Sequence, residues 1–209
     1  MRKILSILLL ISTLLLLASC GGGDAPPLTE ADSALLKIAE KLEYSYDAVV
    51  ISVSTKYGDT ELMDRYSITY FDDSVVIDYI VESLVPFEYV DGEYQIPEYE
   101  SGIIQDFGTV KLDSNGKVIS GGDGKTDYAA LANVRLNLRS EYFSKLTYSS
   151  TGLTGTISNL SALYSGLVGM PGTGVDMVAE YNETAFVSLL FSYTTQLGAQ
   201  VTVDFDFLA

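Results

Sequence analysis

The stretch that decides the fold is FVSLLFSYTTQLGAQVTVDFDFL, residues 186–208. In its second half apolar and polar residues alternate strictly, so that one face carries Val201, Val203, Phe205 and Phe207. The opposite face of that half carries Thr202, Asp204 and Asp206. The first half alternates as well and predicts an apolar face made of Val187, Leu189, Phe191 and Tyr193. A period of two on both sides of Gly198 is typical of an antiparallel hairpin with one buried face.

Shorter segments with the same period precede this hairpin. In DAVVISVSTK, residues 47–56, one face carries Val49, Ile51 and Val53. Further strands are predicted within residues 64–71, 75–82, 86–97, 108–120 and 151–158. The turn signals between them are Gly58-Asp59, Asp72-Asp73-Ser74, Asp91-Gly92 and Ser114-Asn115-Gly116, and GMPGTG at 169–174 predicts a loop. Short strands joined by tight turns predict an antiparallel meander with one covered face.

Helical spacing marks a few other segments. Thr29 stands three residues before Asp32, the spacing of a helix N-cap, and apolar residues then recur at helical intervals, so we predict a helix over 29–43. NLSALYSGL, residues 159–167, predicts a short helical turn. Between residues 125 and 145 a helical pattern competes with a strand pattern made of Val134, Leu136 and Leu138. We favour a strand over residues 133–138.

Together these elements predict an α+β fold that is rich in β structure. We expect an N-terminal helix packed on a curved antiparallel sheet or half-open barrel, with short helices late in the chain. Residues 29–209 are enough for one domain with a sizeable core. The order of the elements resembles that of the LolA/LppX-type carriers. That resemblance implies a sheet that holds lipid or lipoprotein acyl chains against a helical lid, and it rests on layout alone, without a motif.

The beginning of the chain is typical of an export signal. A positive start, Arg2-Lys3, is followed by an apolar run over residues 4–17, which is short for a permanent membrane span. The next stretch, Leu17-Ala18-Ser19-Cys20, resembles the lipobox of bacterial lipoproteins. That resemblance implies cleavage between Ser19 and Cys20 and a diacylglyceryl group, with fatty acids such as palmitate, on the Cys20 thiol. A plain secretory signal with a spare cysteine and an uncleaved N-terminal helix are the alternatives.

The lipobox resemblance divides the chain into three parts. Residues 1–19 would be the signal peptide, residues 20–28 the lipidated cysteine with a flexible tether, and residues 29–209 the folded domain. The tether assignment follows from the glycines and prolines of GGGDAPP at 21–27, which disfavour helix and sheet. Two acyl chains on one cysteine form a firm membrane anchor, whereas a single short chain holds only marginally. The resemblance thus implies a lipid-anchored protein on the extracytoplasmic side of a bacterial cell membrane or outer membrane.

The composition is strongly acidic. Against 28 Asp and Glu residues stand 12 Lys and Arg residues, a formal net charge of −16. Loss of Arg2 and Lys3 with the signal would leave 10 basic groups and a net charge of −18. Such a surface repels nucleic acid, so we exclude nucleic acid as a partner.

The absence of some residue types excludes several chemistries. The sequence contains no histidine, which excludes Ser-His-Asp and Cys-His catalysis and imidazole metal sites. Its single cysteine, Cys20, is assigned to lipid, so no disulfide and no thiolate metal site remain. Tryptophan is absent and tyrosine is frequent, so a binding face would have to use Tyr and Phe.

Two groups of residues are candidate sites. An aromatic stripe on neighbouring strands, which continues to Tyr94 and Tyr99, predicts either a ligand-binding face or simple cross-strand packing. The five candidates for the ligand face are Tyr66, Tyr70, Tyr79, Phe87 and Tyr89. Four oxygen-bearing residues near two predicted turns are weak candidates for a calcium site: Asp113, Asn115, Asp123 and Asp127. Turn chemistry alone also explains Asp and Asn at such positions. We therefore predict no metal and no cofactor.

These observations predict a protein without enzymatic activity. The leading hypothesis is a surface lipoprotein whose sheet binds an apolar or amphipathic ligand, or an envelope partner. One alternative is a structural or adhesion module with a filled core. The other is a glycan hydrolase with two carboxyl groups about 5–10 Å apart in a cleft. Whether the concave side of the sheet is open or filled discriminates between these hypotheses.

Overall fold

The computed structural model describes residues 29–84, 88–90, 93–95, 103–164 and 174–209. The predicted signal peptide and tether, the Asp91-Gly92 turn and most of the predicted loop at 169–174 lie outside the described residues. The strands are β1 (Ala48–Tyr57), β2 (Thr60–Tyr70), β3 (Ser74–Leu84), β4 (Glu88–Val90), β5 (Glu93–Gln95), β6 (Ile103–Asp113), β7 (Val118–Ser120), β8 (Phe143–Tyr148), β9 (Gly152–Ile157), β10 (Val175–Tyr181), β11 (Phe186–Thr194) and β12 (Gln200–Leu208). The helices are α1 (Glu30–Glu40), α2 (Tyr128–Leu131) and α3 (Leu160–Leu163), with 3₁₀ turns at Lys41–Glu43 and Ser140–Tyr142.

Ten of the strands form one antiparallel sheet that does not close into a barrel. Its order is β7-β6-β3-β2-β1-β12-β11-β10-β9-β8, while β4 and β5 pair separately with each other. The C-terminal hairpin β11–β12 lies in the middle of the sheet, because β12 pairs with β1 on its other side. This hairpin joins the two halves of the meander, and the predicted β-rich fold with an N-terminal helix is confirmed.

Helix α1 begins where the sequence pattern predicts. The Thr29 hydroxyl accepts a hydrogen bond from the Asp32 backbone N–H at 3.0 Å, and the helix runs to Glu40 before tightening into a 3₁₀ turn. Leu35 and Ile38 are its buried residues. In the described part of the chain, no helix combines the length and the apolar character that crossing a bilayer requires.

One face of the sheet, here named the inner face, is covered by α1, α2, α3 and the segment 133–139. The buried side chains of these elements and of the sheet form a single hydrophobic cluster. Its members with no more than 1% exposure include Leu35, Ile51, Leu138, Leu163, Phe191 and Phe205. The other face, named the outer face, carries no covering element among the described residues.

The predicted strand over residues 133–138 is wrong. Leu136 and Leu138 are buried, as their alternation requires, but the segment crosses the inner face without joining the sheet. The backbone N–H of Asn137 instead donates to the carbonyl of Leu163 at 2.8 Å. An extended chain that buries every second residue has the same pattern whether or not a neighbouring strand pairs with it.

The predicted apolar face of β11 is also wrong at Val187. The pairing of β10 with β11 shifts register at Glu180 and Tyr181, which leaves Val187 as the extra residue of a β-bulge. Phe186 therefore occupies the buried position, whereas Val187 is 47% exposed on the outer face. From Leu189 onward the predicted alternation is confirmed.

Candidate functional site

Three of the five predicted aromatic residues lie on the inner face. Tyr66, Tyr70 and Tyr79 are half-buried and pack against the hydrophobic cluster. The ring centroids of Tyr66 and Tyr79 are 6.5 Å apart, and Tyr79 lies 6.3 Å from Tyr128 of α2. The Tyr70 hydroxyl donates to the carbonyl of Ala132 at 3.0 Å. These contacts favour the cross-strand packing interpretation for the three rings, and a ligand role for them stays a prediction.

Burial also suppresses the acid chemistry of these phenols. Desolvation, reinforced by the nearby Asp64 carboxylate, raises the pKa of Tyr66 to about 12. Desolvation alone raises the pKa of Tyr70 to about 12. Both hydroxyls therefore stay neutral near pH 7. Phe87 lies outside the described residues, and for Tyr89 only the strand position in β4 is described.

The first two calcium candidates, Asp113 and Asn115, lie in the turn between β6 and β7 and help to form it. The Asp113 carboxylate accepts hydrogen bonds from the backbone N–H groups of Asn115 at 2.9 Å and Lys117 at 3.0 Å. These bonds lower the pKa of Asp113. Gly116, with φ of 80°, completes the turn between β6 and β7. Asp113 therefore serves as an acceptor for its own turn, as Asp commonly does.

The other two calcium candidates, Asp123 and Asp127, also accept hydrogen bonds from nearby backbone N–H groups. The Asp123 carboxylate accepts from the backbone N–H groups of Thr126 and Lys125, both at 2.8 Å, and these bonds lower its pKa to about 2. Asp127 is the N-cap of α2 and accepts from the N–H of Ala130 at 3.0 Å. Among the described residues, no group of three or more Asp, Glu, His or Cys side chains is arranged to hold a metal ion.

One half-buried carboxyl on the inner face was not among the predicted site residues. Asp64 lies on β2 between Val53 of β1 and Val81 of β3, and burial raises its pKa. Its carboxylate has no hydrogen-bond partner among the described residues. The burial of Asp64 could have been predicted from the sequence, because Asp64 occupies the same face of the alternating pattern as Tyr66 and Ile68.

A groove of about 550 Å³ that is open to a partner lies at the outer face. It lies between the β8–β9 hairpin, β10 and the bulge of β11. Its exposed apolar side chains on the outer face are Val178 and Val187, while Tyr148, on the same side of the sheet as Leu153, lies at its edge. Hydroxyl groups are supplied by Thr147, Ser149, Thr151 and Thr154, and the single carboxyl in its lining is Glu180. An apolar floor with a hydroxyl rim fits an amphipathic partner.

Two features hold the groove in shape. The bulge turns Val187 outward opposite the Glu180 end of β10, two residues along that strand from Val178, which gives the floor two exposed valines. The Tyr181 hydroxyl lies 3.0 Å from the carbonyl oxygens of both Ser149 and Gly152, which fastens the β8–β9 turn to β10. The local sequence did not predict the groove, because FV at 186–187 fits either register equally well.

A smaller depression of about 250 Å³ lies beside the 3₁₀ turn that ends α1. Tyr44 and Tyr46 form part of its wall, with ring centroids 5.3 Å apart. The Tyr46 hydroxyl donates to the carbonyl of Lys41 at 3.0 Å and accepts from the N–H of Phe186 at 2.8 Å. The protein itself therefore engages both hydrogen-bonding functions of this hydroxyl.

No family model, no curated protein and no solved structure matches this chain.

Proposed function

We propose that this chain is a lipid-anchored extracytoplasmic lipoprotein, without enzymatic activity, that binds an amphipathic segment of an envelope partner. The outer groove with Val178 and Val187 on its floor is the observation that carries the binding part of this proposal. Its volume of about 550 Å³ falls in the range of ordinary ligand sites, about 300–1,000 Å³. The lipobox-like stretch ending at Cys20 carries the anchoring part.

The filled inner face supports binding at the surface rather than in the interior. An acyl chain held against the inner face would have to displace Leu35 of α1 or Leu138, both of which are fully buried. Displacing a buried leucine forfeits about 1.5–3 kcal/mol of burial free energy for each side chain. The carrier form of the leading hypothesis is therefore disfavoured, and the partner-binding form is retained.

The distribution of carboxyl groups supports a non-enzymatic role. Glu180 is the single carboxyl in the lining of the groove, and the lining of the smaller depression contains none. A glycosidase needs two carboxyl groups about 5–10 Å apart across the scissile bond. Neither depression supplies such a pair.

Site-specific crosslinking in intact envelopes tests the groove. A photo-reactive residue is placed at Val187, and a matched one at Ile119, which is exposed on β7 at the opposite edge of the sheet. We expect one discrete adduct from position 187 and none from position 119. The companion change Val178→Asp should abolish the adduct, because a charge on the floor opposes an apolar contact. Equal crosslinking from both positions, or an adduct that survives Val178→Asp, contradicts the proposal.

A further inference from the structure

The anchor proposed above joins the described body at Thr29. The position of Thr29 therefore determines which end of the sheet lies nearest to the anchor. Helix α1 begins there, and the Asp32 carboxylate accepts from the N–H of Ser140 at 2.8 Å and from its hydroxyl at 2.9 Å. Ser140 lies three residues before β8, whose first residue, Phe143, pairs with Ile157 at the end of β9. We name the end of the sheet that contains this pair the tether end.

The same end of the sheet carries the β11–β12 turn and the β1–β2 turn. Ile157 also pairs with Val175, the first residue of β10. The tether end of the sheet therefore includes the start of β10 and, beside it, the end of β11. Gln200 at the start of β12 pairs with Thr194 on one side and with Lys56 on the other. The two turns are therefore neighbours at the tether end.

Each of these two turns presents an apolar side chain to solvent. Leu197 is 84% exposed, yet its turn is well held: the N–H of Thr195 donates to the carbonyl of Ala199 at 2.8 Å, and that of Gly198 to the carbonyl of Thr195 at 3.0 Å. Tyr57 is 64% exposed where β1 enters its turn. Because the two turns are neighbours, these side chains together form an exposed apolar surface at the tether end.

The charge of these turns differs from that of the protein as a whole. Residues 194–200, TTQLGAQ, carry no charged side chain in a chain of net charge −16. In the β1–β2 segment, residues 56–61, Lys56 stands against Asp59 and Glu61, a net charge of −1. At the other end of the sheet, by contrast, the β2–β3 turn carries Asp72 and Asp73. Two turns with exposed apolar side chains, one uncharged and the other with a net charge of −1, fit a lipid bilayer better than the acidic end does, because an anionic leaflet repels carboxylates.

We propose that the tips of the β1–β2 and β11–β12 turns, Tyr57 and Leu197, dock on the bilayer that holds the lipid anchor. This inference rests on the proposed anchoring at Cys20. Residues 20–28 can reach at most about 30 Å. The β11–β12 turn lies up to four strand spacings from β8, about 19 Å, and Tyr57 at the end of β1 lies five spacings from it, about 24 Å. The tips are therefore within reach of the same membrane, and a tyrosine suits the headgroup level.

Tryptophan fluorescence tests this docking directly, because the chain contains no tryptophan. The variants are Leu197→Trp, Tyr57→Trp and the control Phe71→Trp, which is a 52% exposed aromatic position beside the β2–β3 turn. Each full-length lipidated protein is reconstituted into phosphatidylcholine vesicles with brominated or ordinary acyl chains. We expect bromine to quench positions 197 and 57 at least about twofold, since docked apolar groups lie ~5–10 Å into the interface, and to leave position 71 unquenched.

The outcomes separate the docking from the anchor. If the lipidated protein is vesicle-bound but position 197 is quenched no more than position 71, the docking is overturned while the anchor stands. A second set of variants carries Cys20→Ala. If those proteins bind vesicles as well as the lipidated ones do, the anchor is contradicted, and greater quenching at 197 than at 71 still supports docking. Failure of the protein with Cys20 to bind vesicles at all overturns both.

Discussion

Tyr164 lies in the middle of the core, where burial controls what its hydroxyl can do. Its ring stacks on Phe191 with centroids 5.6 Å apart and meets Phe205 edge-on at 6.2 Å. The residue is 4% exposed, and desolvation raises the pKa of its hydroxyl. That hydroxyl finds no hydrogen-bond partner among the described residues. A buried polar group without a partner costs free energy, so Tyr164 is a weak point in an otherwise well-packed core.

Removal of this hydroxyl should stabilise the protein. We expect Tyr164→Phe to raise the free energy of unfolding by about 1 kcal/mol, because it removes an unsatisfied group and keeps the ring. The matched control is Tyr181→Phe, since the Tyr181 hydroxyl bonds at 3.0 Å to the β8–β9 turn. The control should lose about 1 kcal/mol. Urea unfolding of both variants measures the difference, and destabilisation by Tyr164→Phe would show that the hydroxyl has a partner.

Asp64 makes stability depend on pH in the opposite sense to a paired carboxylate. Burial raises its folded pKa above the ordinary 3.8, so the folded protein holds the proton more tightly than the unfolded chain does. The contribution of Asp64 to stability is therefore present below about pH 3.8 and is lost as the pH rises through the raised value. Near pH 7 the burial of the Asp64 carboxylate therefore lowers stability relative to a neutral side chain at this position.

The change Asp64→Asn should therefore be stabilising at pH 7 and neutral at pH 3. We expect a gain below about 1 kcal/mol, because solvent screens a half-exposed carboxyl. Thermal unfolding at the two pH values measures it. The exposed turn variant Asp59→Asn is the control and should change stability little at either pH. A loss of stability from Asp64→Asn at pH 7 would mean that the carboxylate is paired in solution.

At the scale of elements, a single lysine fastens the end of α1 to the sheet. The Lys41 ammonium donates to the carbonyl of Asn182 at 2.6 Å and to that of Glu183 at 2.5 Å. It also lies 5.5 Å from the centroid of the Tyr181 ring. The cation thus links the helix to the β10–β11 turn beside the bulge, and so supports one wall of the groove.

Replacement of this lysine should loosen the contact without unfolding the protein. We expect Lys41→Met to lower the free energy of unfolding by about 1 kcal/mol, since it removes charge-assisted hydrogen bonds and leaves two carbonyls unpaired. Hydrogen exchange of the β10–β11 turn should accelerate at the same time. Lys37→Met, one turn earlier on α1, is the control and should leave that exchange unchanged. Equal effects of Lys41→Met and Lys37→Met would show that the contact between Lys41 and the β10–β11 turn has no specific role.

Local patterns predicted most of the elements, because alternation and turn residues act within a few positions. The cap at Thr29, the turn at Gly58-Asp59 and the two-faced β12 were all predicted this way. The failures at 133–138 and at Val187 have one cause. Which strand a segment pairs with, and in which register, depends on residues far away in sequence. The groove combines side chains from four strands, so no local pattern could predict it.

At the scale of the whole molecule, the groove and the tether end lie at opposite ends of the sheet. The groove is built around the β8–β9 turn, which includes Ser149 and Thr151. The tether end holds Leu197 and the start of α1 at Thr29. If the tips dock as inferred, the groove is held away from the bilayer, where an envelope partner can reach it.

The measurement that tests this account most directly is the mass of the mature N-terminal peptide from protein expressed in a bacterium with the lipoprotein-modifying enzymes. We predict a peptide that starts at Cys20 and carries a diacylglyceryl group, together with uptake of labelled palmitate that disappears in Cys20→Ala. An unmodified peptide, or equal labelling of wild type and Cys20→Ala, would contradict the anchor and the function built on it.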